Sequence, residues 1–167
     1  DNLDRLSIRN KYRVRWYGNS FEKNDKTIEV KQKSEFLNKK QKLRIGSWTL
    51  ISKKNINNFS DELVNFLNEK KHYLFYYYLN TRYPTLFNSY ERQYFVNNPE
   101  KVRITIDTNL SFYSPISMQT FNESKIVIEV KYDKQINFFN IFDNLILTRY
   151  SKYAKGTIQT SNYTPSY

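Results

Sequence analysis

Five short segments of this chain alternate between charged and aliphatic or aromatic residues. A period of two fits β-strands with one wet face and one buried face, and it excludes helix for those stretches. Lys11-Tyr-Arg-Val-Arg-Trp-Tyr17 is the first, ended by Gly18-Asn19-Ser20. Thr27–Lys33, Lys42–Ile45, Val102–Asp107 and Lys125–Tyr132 repeat the pattern. A sixth strand is expected from Thr85 to Val96, after Pro84 and before the turn at Asn97-Asn98-Pro99. Ser60 is placed to cap a helix running to about Asn80, with Asp61 and Glu62 in its first turn. Phe138, Phe139, Ile141, Phe142 and Leu145 give a second helix over 135–145 its apolar side. About six strands and two helices predict an α+β protein with an antiparallel sheet, because several strand-to-strand links are short. The expected domain covers 1–157, and 158–167 reads as a polar tail.

The alternation also sorts the charges. Arg13 and Arg15 share a face opposite Val14 and Trp16, and Glu29, Lys31 and Lys33 share one opposite Ile28 and Val30. Lys42 and Arg44 oppose Leu43 and Ile45, Arg103 opposes Val102 and Ile104, and Glu129 and Lys131 oppose Ile128 and Val130. Arg92 adds a cation on the sixth strand. A solvated sheet face is the bland explanation. Such faces normally carry Thr, Ser and Gln, whereas these hold mainly Arg and Lys. Arg forks match phosphate oxygens in pairs, and Lys adds point charge. Carboxylates among them fit a hard divalent cation that bridges phosphates.

The totals agree with a polyanion partner. The net charge is +11 and the pI about 9.6. That leaves nucleic acid, anionic membrane or polyphosphate, with a lysine-rich solubilising surface as the alternative. No nucleic-acid-binding module is readable, and Tyr and Phe lie between apolar residues, where core is the better reading. Gly18, Gly46 and Gly156 are isolated, which excludes a P-loop and a dinucleotide fingerprint. The absence of Cys excludes disulfides, thiolate metal sites and cysteine nucleophiles. His72 is the single histidine, which leaves no histidine zinc site. No apolar run approaches the ~20 residues of a membrane span and no signal peptide is visible, so a cytoplasmic location is expected.

Six segments, in order, carry a family resemblance: Tyr12-Arg-Val-Arg-Trp-Tyr-Gly18, Ile28-Glu-Val-Lys31, Tyr90-Glu-Arg92, Val102-Arg-Ile-Thr-Ile-Asp-Thr-Asn-Leu110, Ile128-Glu-Val-Lys-Tyr132 and Ser151-Lys-Tyr153. The chain resembles the VTC domain, the polyphosphate polymerase domain of the vacuolar transporter chaperone complex and its bacterial relatives. That family belongs to the CYTH-like triphosphate tunnel metalloenzymes, whose antiparallel strands close into a charged tunnel flanked by helices. The resemblance implies that Arg13 and Arg15 are paired tunnel arginines on phosphates. By the same resemblance Lys31, Arg92, Arg103 and Lys131 make further phosphate contacts, and Lys152 is the basic residue of the closing segment. Glu129 is the implied metal-binding carboxylate, with Glu29 as a second acidic group. The implied reaction transfers the terminal phosphoryl of ATP to a growing polyphosphate chain, with Mn2+ or Mg2+ as cofactor. A metal-dependent hydrolase of tripolyphosphate or nucleoside triphosphates, and a non-catalytic polyanion-binding module, are the alternatives. The family's first strand, rich in Glu and Lys, has no counterpart before Arg13. The expectation is therefore a fragment lacking its first strands, or a tunnel open on one side.

Overall fold

A computed structural model of the protein describes residues 8–18, 24–34, 38–48, 56–97, 99, 101–132 and 148–161. The helix expected over 135–145 lies outside them. The chain divides into two compact units, Asp1–Tyr83 and Pro84–Tyr167. The class is α+β, with two antiparallel sheets and three helices among the described residues. Neither sheet closes on itself through the described ladders.

In the N-terminal unit, β1 (Ile8–Arg15), β2 (Asn24–Ser34) and β3 (Asn38–Trp48) form a meander. Each strand is longer than its alternating segment, because ladder pairing carries polar residues along with it. The apolar face buries Ile28, Val30 and Ile45, with Tyr12, Val14 and Leu43 beside them. Two helices cover that face: α1 (Ile56–Glu69) supplies Phe59, Leu63 and Leu67, and α2 (Tyr73–Leu79) supplies Phe75. The spacing Phe59, Leu63, Leu67 is one residue per helical turn, the row that packs on a sheet. A bulge between Lys26 and Thr27 uses Gly46 at φ +70, a conformation that glycine adopts without strain. Lys26 is fully buried there, its Nζ 5.7 Å from the Trp16 ring centroid, and burial lowers its pKa.

The single long helix expected from Ser60 to Asn80 is two helices. The first ends in a Schellman motif: the His72 N–H donates to the Leu67 carbonyl (2.8 Å) and the Lys71 N–H to the Asn68 carbonyl (3.0 Å). Lys71 holds the left-handed position, φ 58, usually taken by glycine. Ser60 is not the cap. It lies in the second turn of α1, and its Oγ donates to the Arg82 carbonyl (2.9 Å).

In the C-terminal unit, β5 (Val102–Tyr113) is the central strand. β4 (Phe87–Asn97) pairs with one edge. On the other edge, β6 (Thr120–Glu123) pairs with residues 110–113 and β7 (Val127–Lys131) with residues 103–107. Between those stretches Asn109 takes φ 53, and the β4 register shifts across Tyr90. The α3 helix (Lys152–Thr160) packs on β5 and β6. Ser151 caps it, its Oγ accepting from the Ala154 N–H. The helix runs past residue 157, and Thr160 is buried. Gly156 lies against Phe112 and Leu86, where a Cβ would stand 2.5 Å and 2.7 Å from their side-chain carbons. Among the described residues, no helix is long and apolar enough to cross a membrane.

Candidate functional site

Side chains directly opposed in an antiparallel ladder share a face. The registers of β1, β2 and β3 therefore put Lys11, Arg13, Arg15, Lys31, Lys33, Lys40, Lys42 and Arg44 on the face away from the helices. Among residues with described side chains, its acidic members are Glu29 and, at the far end of β2, Asp25, which accepts from the Ser47 hydroxyl (2.9 Å). Lys11, Lys31 and Lys40 form one cross-strand row. Like charges so opposed destabilise a sheet.

Glu29 is 3% exposed and lies at the centre of the face. Arg13 reaches its Oε2 with Nε (3.2 Å) and NH2, Arg15 donates to Oε1 (2.9 Å), and Lys40 Nζ is 3.7 Å from Oε1. Burial alone would raise the Glu29 carboxyl. The bond from Arg13 and the charges of Arg13, Arg15 and Lys40 outweigh it and hold the group below the usual carboxylate range. Lys40 is lowered as well. Burial lowers it first, Glu29 opposes that, and repulsion from Lys42, Arg13 and Arg15 adds to the fall.

The sheet of the C-terminal unit repeats the arrangement. Arg103, Thr105 and Asp107 share one face of β5, opposite Val96, Tyr94 and Arg92 of β4 and Lys131, Glu129 and Val127 of β7. Arg103 and Lys131 are directly paired, and Lys131 Nζ is 3.3 Å from Glu129, whose side chain is 46% exposed. Asp107 is fully buried. Arg92 grips both its oxygens, Nε to Oδ1 at 2.5 Å and NH2 to Oδ2 at 2.6 Å, and Lys152 Nζ reaches Oδ2 at 2.5 Å. Burial would raise the Asp107 carboxyl, but hydrogen bonds from Arg92 and Lys152 hold it below its ordinary value. The bond to Asp107 raises the Arg92 guanidinium in turn. The Tyr90 ring centroid is 5.0 Å from the Arg92 guanidinium and 4.9 Å from Lys152 Nζ, within cation–π range.

The residues expected from the sequence thus fall into two groups. Arg13 and Arg15 meet on Glu29, with Lys31 one row along the same face. Arg92 and Lys152 meet on Asp107, and Arg103, Lys131 and Glu129 continue that face. Lys40 and Asp107 are the two members that sequence reasoning misses. Asp107 has the parity of Arg103, so extending that face by four residues would find it. Lys40 lies outside the alternating segment of β3, and only the ladder register brings it to Glu29.

No three His, Cys, Asp or Glu side chains come together as a metal cage among the described residues. Glu29 and Asp107 are each taken up by cations. Glu129 is the half-exposed carboxylate of the second face. A family model described as the VTC domain matches residues 1–160. No curated protein matches the chain.

Proposed function

The chain belongs to the VTC domain family, and from that premise we propose that it binds ATP and inorganic polyphosphate on its cationic strand faces. There it transfers the terminal phosphoryl of ATP to a growing polyphosphate chain. Membership itself points to polyphosphate chemistry. The observation that carries the finer reading is the β1–β3 face, where eight Lys and Arg side chains share a face with two carboxylates, Glu29 and Asp25. A linear polyanion is the ligand that answers such a charge pattern. The family implies a tunnel fold lined by charged strand faces, and each of the two cationic faces is proposed as such a lining.

In the proposed reaction, a terminal oxygen of the polyphosphate chain attacks the γ-phosphorus of ATP, and ADP leaves with the electrons of the broken bond. The protein does little covalent chemistry in such transfers; positioning and charge stabilisation supply the catalysis. Arg13, Arg15 and Lys31 on one face, and Arg92, Arg103, Lys131 and Lys152 on the other, are the proposed phosphate contacts. A divalent ion bridging phosphates commonly takes one or two protein carboxylates and fills its shell with phosphate oxygens and water. Glu129 fits as that single ligand, since it is accessible and, among the described residues, is paired at 3.3 Å with Lys131. Bound there, Mn2+ or Mg2+ would offset the charge of adjacent phosphates. Glu29, with three cations on it, is better suited to holding Arg13 and Arg15 in place.

The test is incubation with ATP and Mn2+, with gel detection of the product. A ladder of polyphosphate with release of ADP supports the proposal. Release of free phosphate without a ladder marks a triphosphate hydrolase, and binding without turnover marks a polyanion-binding module.

A further inference from the structure

We propose that Asp107 is a positioning residue, which sets Arg92 and Lys152 side by side as one phosphate-binding pair. This deepens the function proposed above and rests on it. Lys152 enters from the first turn of α3 and Arg92 from the middle of β4, so no single element fixes their spacing. Asp107 does. Its two oxygens grip the Arg92 fork and its Oδ2 also holds Lys152 Nζ. A two-point grip fixes the plane of a guanidinium. One Tyr90 ring serves both cations from within 5.0 Å.

A stabilising role alone explains this poorly. Buried ion pairs are weak sources of stability, because desolvating the charges offsets most of the attraction. Nor does α3 need the contact in order to dock. It is seated by Gly156 against Phe112 and Leu86 and by Ser117, whose hydroxyl donates to the Thr160 carbonyl. Asp107 is fully buried, while the Arg92 and Lys152 side chains each remain 18% exposed. The carboxylate is thus withheld from solvent, and the two cations keep an open edge. That edge lies on the strand face that carries Arg103 and Lys131.

The sign of one substitution separates the roles. Asp107→Asn removes a negative charge beside the proposed polyanion site while keeping the side-chain shape. Were Asp107 only a charge, tripolyphosphate would bind more tightly. Were it only structural, melting would fall and affinity well below melting would not move. As a positioning residue, its loss weakens binding. Calorimetric titration of tripolyphosphate into the folded full chain should give affinity weaker by roughly tenfold or more, the size seen when groups that orient a binding residue are removed. Lys152→Gln should cost much less in the D107N background than in the wild type. Unchanged or tighter binding by the folded D107N variant overturns the proposal, as do additive losses. If that variant does not fold, Arg92→Gln and Lys152→Gln carry the test: losses below additive support coupling through Asp107, and additive losses overturn it. A wild type that does not bind tripolyphosphate overturns the functional reading itself, a result distinct from a wild type that binds and a D107N variant that binds equally well.

Discussion

Glu29→Gln removes the carboxylate at the centre of the β1–β3 face while keeping the size of the side chain. Glu29 meets Arg13, Arg15 and Lys40, whose side chains are 30–47% exposed. Solvent screening then puts each contact near the exposed-pair scale, and three of them sum to about 2 kcal/mol. Gln keeps an acceptor for one arginine, so the expected net loss at neutral pH is about 1.5 kcal/mol. For a chain of this length that lowers the melting temperature by roughly 3–6 °C. The pH dependence follows from the lowered Glu29 pKa. Its contribution is complete above the unfolded value of about 4.3 and is lost as pH falls through the folded value. Thermal melts by circular dichroism should therefore show a gap at pH 7 that closes in acid. A variant that melts at or above the wild type at pH 7, or a gap that persists unchanged into acid, refutes the reasoning.

Three further outcomes are expected. Lys71→Gly should raise stability by about 0.5–1 kcal/mol in chemical denaturation, because it relieves a left-handed residue at the end of α1. Gly156→Ala should destabilise by about 1–3 kcal/mol in the same assay, since the new methyl overlaps Phe112 and Leu86. Glu129→Gln should raise the half-saturating Mn2+ concentration for phosphate transfer while shifting stability by under about 0.5 kcal/mol, because its ion pair with Lys131 is exposed. An unchanged Mn2+ titration would remove Glu129 from the site.

The strands are legible in the sequence because burial on one side writes a period of two into it. Their faces are legible for the same reason, and the ladder registers align Arg103 with Lys131 and Arg13 with Glu29. Helix α3 is not legible. Gly156, Thr157 and Thr160 are poor helix formers, so the sequence shows residues 152–157 only as the end of the domain and 158–160 as tail. Packing decides there, since the missing side chain of Gly156 is what lets the helix approach Phe112. The break between α1 and α2 carries no Gly or Pro, and Lys71 accepts the strained position instead. Strand β6, at four residues, is too short for a periodic signal. Glu29 reads from the sequence as an acidic group for a metal because sequence gives parity but not distance. The three cations around it emerge only once the register of β3 brings Lys40 alongside.

Binding of a phosphate chain by the cationic strand faces is tested most directly by calorimetric titration of tripolyphosphate into the wild type, Arg15→Ala and Lys70→Ala. Arg15 donates on the crowded face, whereas Lys70 is exposed at the end of α1. A charge-assisted contact to phosphate is worth about 1.5–3 kcal/mol, so Arg15→Ala should weaken binding by roughly 10- to 150-fold. Lys70→Ala should leave it within about twofold of the wild type. Equal losses for the two variants would contradict a phosphate site on the strand faces.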